Sequence, residues 1–317
     1  MKKKSNVIYY LVRYKVFLIF AVLFMVMAVT SDFFLTKANL LNMLRQLSIN
    51  GLLAVGMTFV LVTGGIDLSV GSVLTLSAMV GCSFIQKDSP YPVILCIVIA
   101  LAIGAAIGLA NGIVIAKGHV PAFIVTLGTQ LMASGAALLF NNGSPIPGLK
   151  DSYNIIGAGT LFGIPLPIVI FIIVLSAGAF VLKCTRFGRY VYAVGGNRMA
   201  AEACGIQSAM INIKVYVISG LCAAIAGIVL SSRVKTATPL AGEGYELDAI
   251  AAVVLGGTSL SGGVGSMWGT VVGVLIIGLL NNGMDLLNVQ SYFQDIIQGF
   301  IIVLAVFIDA NTNKKKN

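Results

Sequence analysis

Between Asp248 and Asp285 the chain carries no charge: residues 249–284 read AIAAVVLGGTSLSGGVGSMWGTVVGVLIIGLLNNGM, interrupted by Gly256, Gly257, Gly262, Gly263 and Gly265. About 20 apolar residues, rising about 1.5 Å each, cross the roughly 30 Å core of a bilayer once. The stretch is nearly long enough for two crossings, with glycines where a reversal is needed. Only Ala249 to Leu255 precede them, so the first crossing is short or is completed by Tyr245 to Asp248. Non-helical backbone at membrane depth persists only where protein buries it or water bathes it. Gly256 and Gly257 are therefore candidates for a gate or a lumen.

The rest of the chain agrees. It is 58% hydrophobic and 10% charged, with a mean hydropathy of +1.00, which excludes an ordinary soluble domain. Apolar segments recur through all 317 residues without a long polar insertion, so one integral membrane domain, 1–317, is expected. Cys82, Cys96, Cys184, Cys204 and Cys222 show no CxxC spacing and read as small buried hydrophobes, not as a disulfide or zinc framework. Lys2 to Lys4 ahead of the apolar run Val16 to Val29 resemble a secretory signal, but no A-x-A site follows, and no cleavage is expected.

Hydropathy and turn residues predict ten spans, near 16–30, 47–63, 69–86, 93–116, 121–140, 164–182, 211–232, 246–258, 265–283 and 293–309. The expected fold is all-α integral membrane, with about ten transmembrane helices and some short or re-entrant ones. With a cytoplasmic N-terminus, only Lys37, Arg45, Lys87, Lys150, Arg233 and Lys235 lie outside, and the other 14 of the 20 basic residues lie inside. That positive-inside bias predicts a cytoplasmic tail at 1–15, a long inner loop at 183–212 and a cytoplasmic tail at 310–317. It also accounts for the net charge of +9 through anionic lipid, without nucleic acid. IGLANG at 107–112 and IGLLNNG at 277–283 lie late in spans four and nine. An offset of five spans makes an inverted repeat, and brings Asn281 and Asn282 forward as path residues.

Four segments carry candidate function. In the inner loop, Asn197 is placed to cap a short helix over Arg198 to Cys204, with Gly205 as the left-handed residue that ends it; the helix is either a plain connection or a docking element. Thr63, Gly64, Gly65, Asp67 and Ser69 join spans two and three. Asp67 either caps the third span or takes part in gating, since a carboxylate there needs water, a cap or a partner. Glu243, Glu246 and Asp248 either complement the positive end of the eighth helix, worth about 0.3 to 1 kcal/mol each when exposed, or form with Asp32, Asp151 and Asp285 an acidic outer surface for a basic partner. Asn141 to Gly148, NNGSPIPG, opens the largest outer loop, running to Gly163.

Several chemistries are missing from the sequence. No GxxxxGK[ST] exists, so the chain has no P-loop of its own. The lone His119 reads as a loop residue and cannot build a metal site, no Ser or Cys stands in a nucleophile motif, and no cofactor or catalytic residue is expected. Trp268 reads as an interface anchor. The spans are nearly free of ionisable residues at mid-depth, against a proton relay. Thr, Ser, Asn and Gln remain for a lining that suits a neutral polyol or sugar.

AVGMTFVLVTGGIDLSVGSVLTLSA (54–78), NGIVIAKGHVPAFIVTLGT (111–129), TRFGRYVYAVGGNRMAAEACGI (185–206) and GYELDAIAAVVLGGTSLSGGVGSMWGTVVGVLIIGLLNNGMDLL (244–287) closely resemble the membrane subunit of bacterial ribose-type sugar ABC importers. The match runs from about Phe33 to Asp309. NGSP at 142–145 and NNG at 281–283 look like the ribose members more than those for other pentoses, galactosides or autoinducer-2. The resemblance implies a homodimeric permease that works with a cytoplasmic ATPase and an extracytoplasmic sugar-binding protein, passing a monosaccharide by alternating access at the dimer interface. It makes the segment with Asn197, Arg198, Ala200, Ala201, Glu202 and Gly205 the coupling helix, and gives Asp151, Glu243, Glu246 and Asp248 to binding-protein docking. Cys204 departs from a usual Ser, and 146–163 matches less well. A stand-alone carrier or channel for neutral solutes is the alternative, and a membrane scaffold without transport a third.

Overall fold

A computed structural model describes residues 15–314; of the expected tails at 1–15 and 310–317, residues 1–14 and 315–317 lie outside the described residues. Ten helices occupy the predicted spans: α1 Lys15–Thr30, α2 Lys37–Val62, α3 Val70–Ser83, α4 Val93–Gly118, α5 Ala122–Phe140, α7 Leu166–Cys184, α10 Ser208–Val234, α11 Tyr245–Leu255, α12 Met267–Leu286 and α13 Ser291–Lys314. Three further helices lie outside those spans: α6 Asp151–Ala158, α8 Arg186–Gly196, which is as long as α11, and α9 Arg198–Ala203. Strands are confined to two-residue pieces, β1 Ile146–Pro147 pairing with β4 Thr236–Ala237, and β2 Thr160–Leu161 with β3 Ile164–Pro165. By length and composition α2, α4, α5, α7, α10 and α12 are able to cross a membrane.

Two boundaries differ from the sequence reading by more than three residues. α2 starts at Lys37, ten residues before the predicted span, because its polar first turns are satisfied. Thr36 caps it, Asn39 and Asn282 exchange side-chain hydrogen bonds of 3.0 and 2.8 Å, and Arg233 donates to Asn42 at 2.8 Å. Hydropathy is blind to polar residues that find partners. At the other end α13 continues to Lys314, past the predicted 309.

The helices are not equally central. The most apolar window of α2 is 89% buried and that of α10 is 72% buried, against 22% for α4 and α5 and 17% for α7. α2 and α10 form the axis, and α4, α5 and α7 present an apolar face outward. Gly104, Gly108 and Gly112 line one face of α4 at four-residue spacing, against Gly220, Tyr216 and Ile213 of α10. A Cβ on Gly104 would lie 2.3 Å from the Gly220 carbonyl, and one on Gly220 2.1 Å from the Gly104 carbonyl. Where apolar side chains gain nothing by leaving lipid, such close backbone contact is what holds helices together.

One contact scheme occurs twice. α3 packs on α4, α5 and α10, while α11 packs on α12, α13 and α2; α4 packs on α10 as α12 packs on α2. Pairing α2 with α10, α3 with α11, α4 with α12 and α5 with α13 maps each contact onto another. IGLANG and IGLLNNG fall on the paired helices α4 and α12.

Cys82, Cys96 and Cys222 are buried, but Cys184 and Cys204 are exposed, and all five are free. The latter two correct the expectation of uniform burial, because both end helices on the inner-loop side.

Candidate functional site

The loop at 183–212, expected on the inner side, folds around two helices, α8 and α9. Thr185 caps α8 by accepting from the Gly188 N–H at 3.1 Å. Asn197 ends α8 and starts α9, its Oδ1 accepting from the Ala200 N–H at 3.0 Å. Gly205 has φ +81°; its N–H donates to the Glu202 carbonyl at 2.9 Å and the Ile206 N–H to the Ala201 carbonyl at 3.0 Å. That pair of bonds is the left-handed helix ending that glycine favours, and it lies where the sequence puts it. Asn197, Arg198, Ala200, Glu202 and Gly205 are exposed, while Ala201 is buried and anchors α9. Arg198 bonds Glu202 at 2.9 Å, and the Ser208 hydroxyl also donates to that carboxylate. The Ser208 bond first, and Arg198 second, hold the Glu202 carboxyl below its usual range. Beside the helix end, Phe187, Tyr190, Gly205, Met210 and Lys214 line an open groove of about 620 Å³.

α8 is joined to the membrane helices backbone to backbone. A Cβ on Gly195 would lie 1.8 Å from the Val62 carbonyl at the end of α2 and 2.7 Å from the Gly263 nitrogen. The Gly263 N–H donates to that same Val62 carbonyl at 2.9 Å, the Tyr192 hydroxyl donates to the Gly265 carbonyl at 2.8 Å, and Phe187 stacks on Phe59. Gly64 lies against Ser261 and Gly262. The two glycine loops singled out in the sequence thus meet at one point, under α8. Thr63, Gly64 and Gly65 also line a cavity of about 350 Å³ with His119, Arg198 and Tyr216. Gly257 takes φ +92°, whereas Gly256 is packed on α12, where a Cβ would come 2.3 Å from the Gly269 carbonyl.

Asp67 and Ser69, expected on the path, are buried in this structure. Asp67 is 2% exposed. Its Oδ1 accepts from the Ser69 N–H at 3.0 Å and the Ser69 hydroxyl at 2.6 Å, and its Oδ2 from the Ser219 hydroxyl of α10 at 2.7 Å. Asn111 of α4 donates to Ser69 at 3.1 Å, and Thr129 of α5 donates to Asn111 at 2.6 Å. A carboxylate so surrounded ties helices together and faces no lumen.

Asp248 stands in a second such cluster. Its Oδ2 accepts from Asn50 of α2 and Asn281 of α12, each at 3.1 Å, and its Oδ1 from Gln298 of α13 at 3.0 Å. Asn281 is therefore a cluster member, and Asn282 is engaged by Asn39. Glu246 is also turned inward, 5% exposed, with Gln130 of α5 donating to its Oε1 at 2.9 Å. Of the six acids assigned to an outer surface, Asp32, Asp151, Glu243 and Asp285 are exposed, whereas amide donors hold Glu246 and Asp248 inside.

The sequence reading missed Asn50, Asn111, Thr129, Gln130, Ser219 and Gln298. Asn111 was noted only as part of the repeated IGLANG, and the other five are polar residues of apolar helices with no motif around them. The available signal was their scarcity, since a polar group at membrane depth needs a partner. Among the described residues no group of His, Cys, Asp and Glu is arranged to hold a metal ion.

Comparison with known proteins gives a consistent result. Residues 39–306 match the family described as branched-chain amino acid transport system / permease component. The chain is 46% identical to the ribose import permease protein RbsC of Escherichia coli (strain K12), covering 93% of this chain and 92% of that protein. It is 46% identical to RbsC of Bacillus subtilis (strain 168), covering 91% and 89%, and 35% identical to the D-allose transport system permease protein AlsC of Escherichia coli (strain K12), covering 99% and 96%. No solved structure matches.

Proposed function

The chain belongs to the branched-chain amino acid transport system / permease component family, as the membrane subunit of a ribose-type sugar ABC importer, and we propose that it carries ribose by alternating access between two copies of itself. It is a multi-pass inner-membrane protein and a transport subunit, not an enzyme; it works with an ATPase and a binding protein. In our reading both termini are cytoplasmic, anionic lipid meets the inner basic residues, one membrane domain makes up the whole chain, and Asp151 and Glu243 meet the binding protein outside.

The observation that carries the reading is the α8–α9 hairpin. α9 is a capped helix with most of its surface free, and α8 behind it is locked by Gly195 to the ends of two membrane segments at once. Asn197, Arg198, Ala200, Ala201, Glu202 and Gly205 are the coupling element, of which Ala201 seats the helix. A load on α9 cannot be absorbed by side-chain rearrangement at Gly195, because no side chain lies between α8 and Val62. The displacement passes to the α2–α3 and α11–α12 loops, which carry Thr63 to Gly65 and Gly257. Closure of the ATPase is thereby converted into a change of access. The chain itself supplies no chemistry.

Uptake by proteoliposomes tests this. Accumulation of labelled ribose that needs the ATPase and the binding protein, and survives collapse of ion gradients, is the expected result. Accumulation by this chain alone would establish the stand-alone carrier instead.

A further inference from the structure

A partly open cavity of about 220 Å³ lies between the helices, away from the coupling hairpin, lined by Ser72 and Thr75 of α3, Gln130 and Ser134 of α5, and Glu246 of α11, with the exposed Leu131, Leu240 and Glu243 at its rim. Its depth follows from α5: Gln130 lies at the middle of that 19-residue helix. Its position follows from two glycines. A Cβ on Gly71 would lie 2.2 Å from the Gly242 carbonyl and one on Gly242 2.0 Å from the Gly71 carbonyl, so the loop before α11 reaches down to the first turn of α3. The Gly242 N–H donates to Thr75 Oγ1 at 2.9 Å and fixes the approach. Two loops that enter from opposite ends of the bundle meet here, the arrangement in which broken helices build sites at half-depth.

We propose that this cavity is a hydroxyl-reading station for the sugar in transit, with Gln130 and Glu246 as its contact residues; the proposal rests on the reading of the chain as a sugar permease. Glu246 is 5% exposed, and while its Oε1 accepts from Gln130, its Oε2 is buried with no hydrogen-bond partner. A buried carboxylate oxygen left unpaired calls for a donor. Gln130 offers a further N–H and an amide oxygen beside it, so the pair presents acceptors and a donor together. Neighbouring hydroxyls of a monosaccharide are both donors and acceptors and match that set. An inorganic anion would be repelled by the carboxylate. The cavity is smaller than the roughly 300–1,000 Å³ of a pocket that encloses a ligand, so it engages one edge of a sugar and lets it go. A translocation site requires that, since tight enclosure would slow release.

The test uses the permease reconstituted with its ATPase and a saturating binding protein, comparing initial uptake of ribose and 2-deoxyribose by the unaltered protein, Gln130→Leu and Glu246→Gln. The expected result is a roughly tenfold or greater loss of ribose uptake in each variant, with the preference for ribose over the deoxy sugar also reduced, since a site that hydrogen-bonds a hydroxyl discriminates against its absence. Equal loss for both sugars, or no loss, overturns the station while leaving the permease reading standing. Failure of the unaltered protein to move any sugar overturns both. If either variant fails to assemble with the ATPase, Ser134→Cys, half-buried in the same wall, is made in a Cys184→Ser, Cys204→Ser background. Maleimide labelling of that thiol slowed by ribose during turnover supports the station, and labelling indifferent to ribose overturns it.

Discussion

The Asp67 and Asp248 clusters are one design executed in different materials. Each acid stands by the junction of a loop with a short helix, α3 or α11. Each is held by the opposite central helix, through Ser219 of α10 in one case and Asn50 of α2 in the other. Each draws in the asparagine of the repeated motif, Asn111 or Asn281, and a polar residue of the last paired helix, Thr129 or Gln298. The difference lies in the donors. Around Asp67 they are hydroxyls and a backbone N–H on short stems, at 2.6 to 3.0 Å, and the acid is 2% exposed. Around Asp248 they are side-chain amides at 3.0 to 3.1 Å, and Asp248, Asn281 and Gln298 are only half-buried. Wiring survives where sequence does not, and the two halves differ in how firmly the same wire is tied. The first half is the fixed part, and the second half is the part with room to move.

The sharpest perturbation acts on both halves together. Gly195→Val forces a side chain into the backbone of Val62 and Gly263, a clash that costs about 3 kcal/mol or more. It is expected to abolish coupled uptake, as read in proteoliposomes alongside ATPase assembly. Next is Asp67→Ala, which strands the Ser69 and Ser219 hydroxyls and loses about 3 kcal/mol, visible as a lowered melting temperature in detergent. Asp248→Ala loses about 1 to 2 kcal/mol by the same measure, because the half-buried Asn281 and Gln298 amides recover water while the buried Asn50 amide alone is stranded. A larger loss at Asp248 than at Asp67 breaks the comparison.

Smaller still is the Asn39–Asn282 pair, which joins the start of α2 to α12. Single and double changes to Leu in a melting cycle are expected to give a coupling of about 0.6 kcal/mol, the average for hydrogen bonds between membrane helices. The smallest effect is pH-dependent and falls on the hairpin that drives both halves. Ser208 and Arg198 hold the folded Glu202 pKa below its unfolded value. Its contribution is therefore present above the ordinary carboxylate range and lost as pH falls through the folded value. The protection of α9 amides, taken relative to their intrinsic exchange rate at each pH, should be level near neutrality and fall only at acid pH; a fall near pH 7 would remove Glu202 from the hairpin's support.

Much of the architecture was legible because its signals are local. A run of apolar residues is a span wherever it stands, and the α9 caps are read from Asn197 and Gly205 within a few positions of each other. The start of α2 was not legible, since Asn39 and Asn42 become membrane-compatible only through Asn282 and Arg233, far along the chain. The same reason hid the clusters and the half-depth cavity. Nothing near Gln130 announces Glu246, and the acids at 246 and 248 look like ordinary first-turn residues until the fold turns them inward. Repetition was the one non-local signal the sequence did carry: the short motif shared by α4 and α12 marked Asn281, although its role came out as a tie between helices and not as lining.

The glycine seam between α4 and α10 makes this molecule measurable. Backbone atoms interlocked at Gly104, Gly108 and Gly220 leave no slack for one helix to shear along the other, so any pair of probes placed on the outer faces of these two helices should report a constant separation through the transport cycle. Such a pair is an internal ruler. Distances taken from it to α9, to Gly257 or to α13 become displacements in a common frame, and stages of turnover that look alike by rate can be told apart by position.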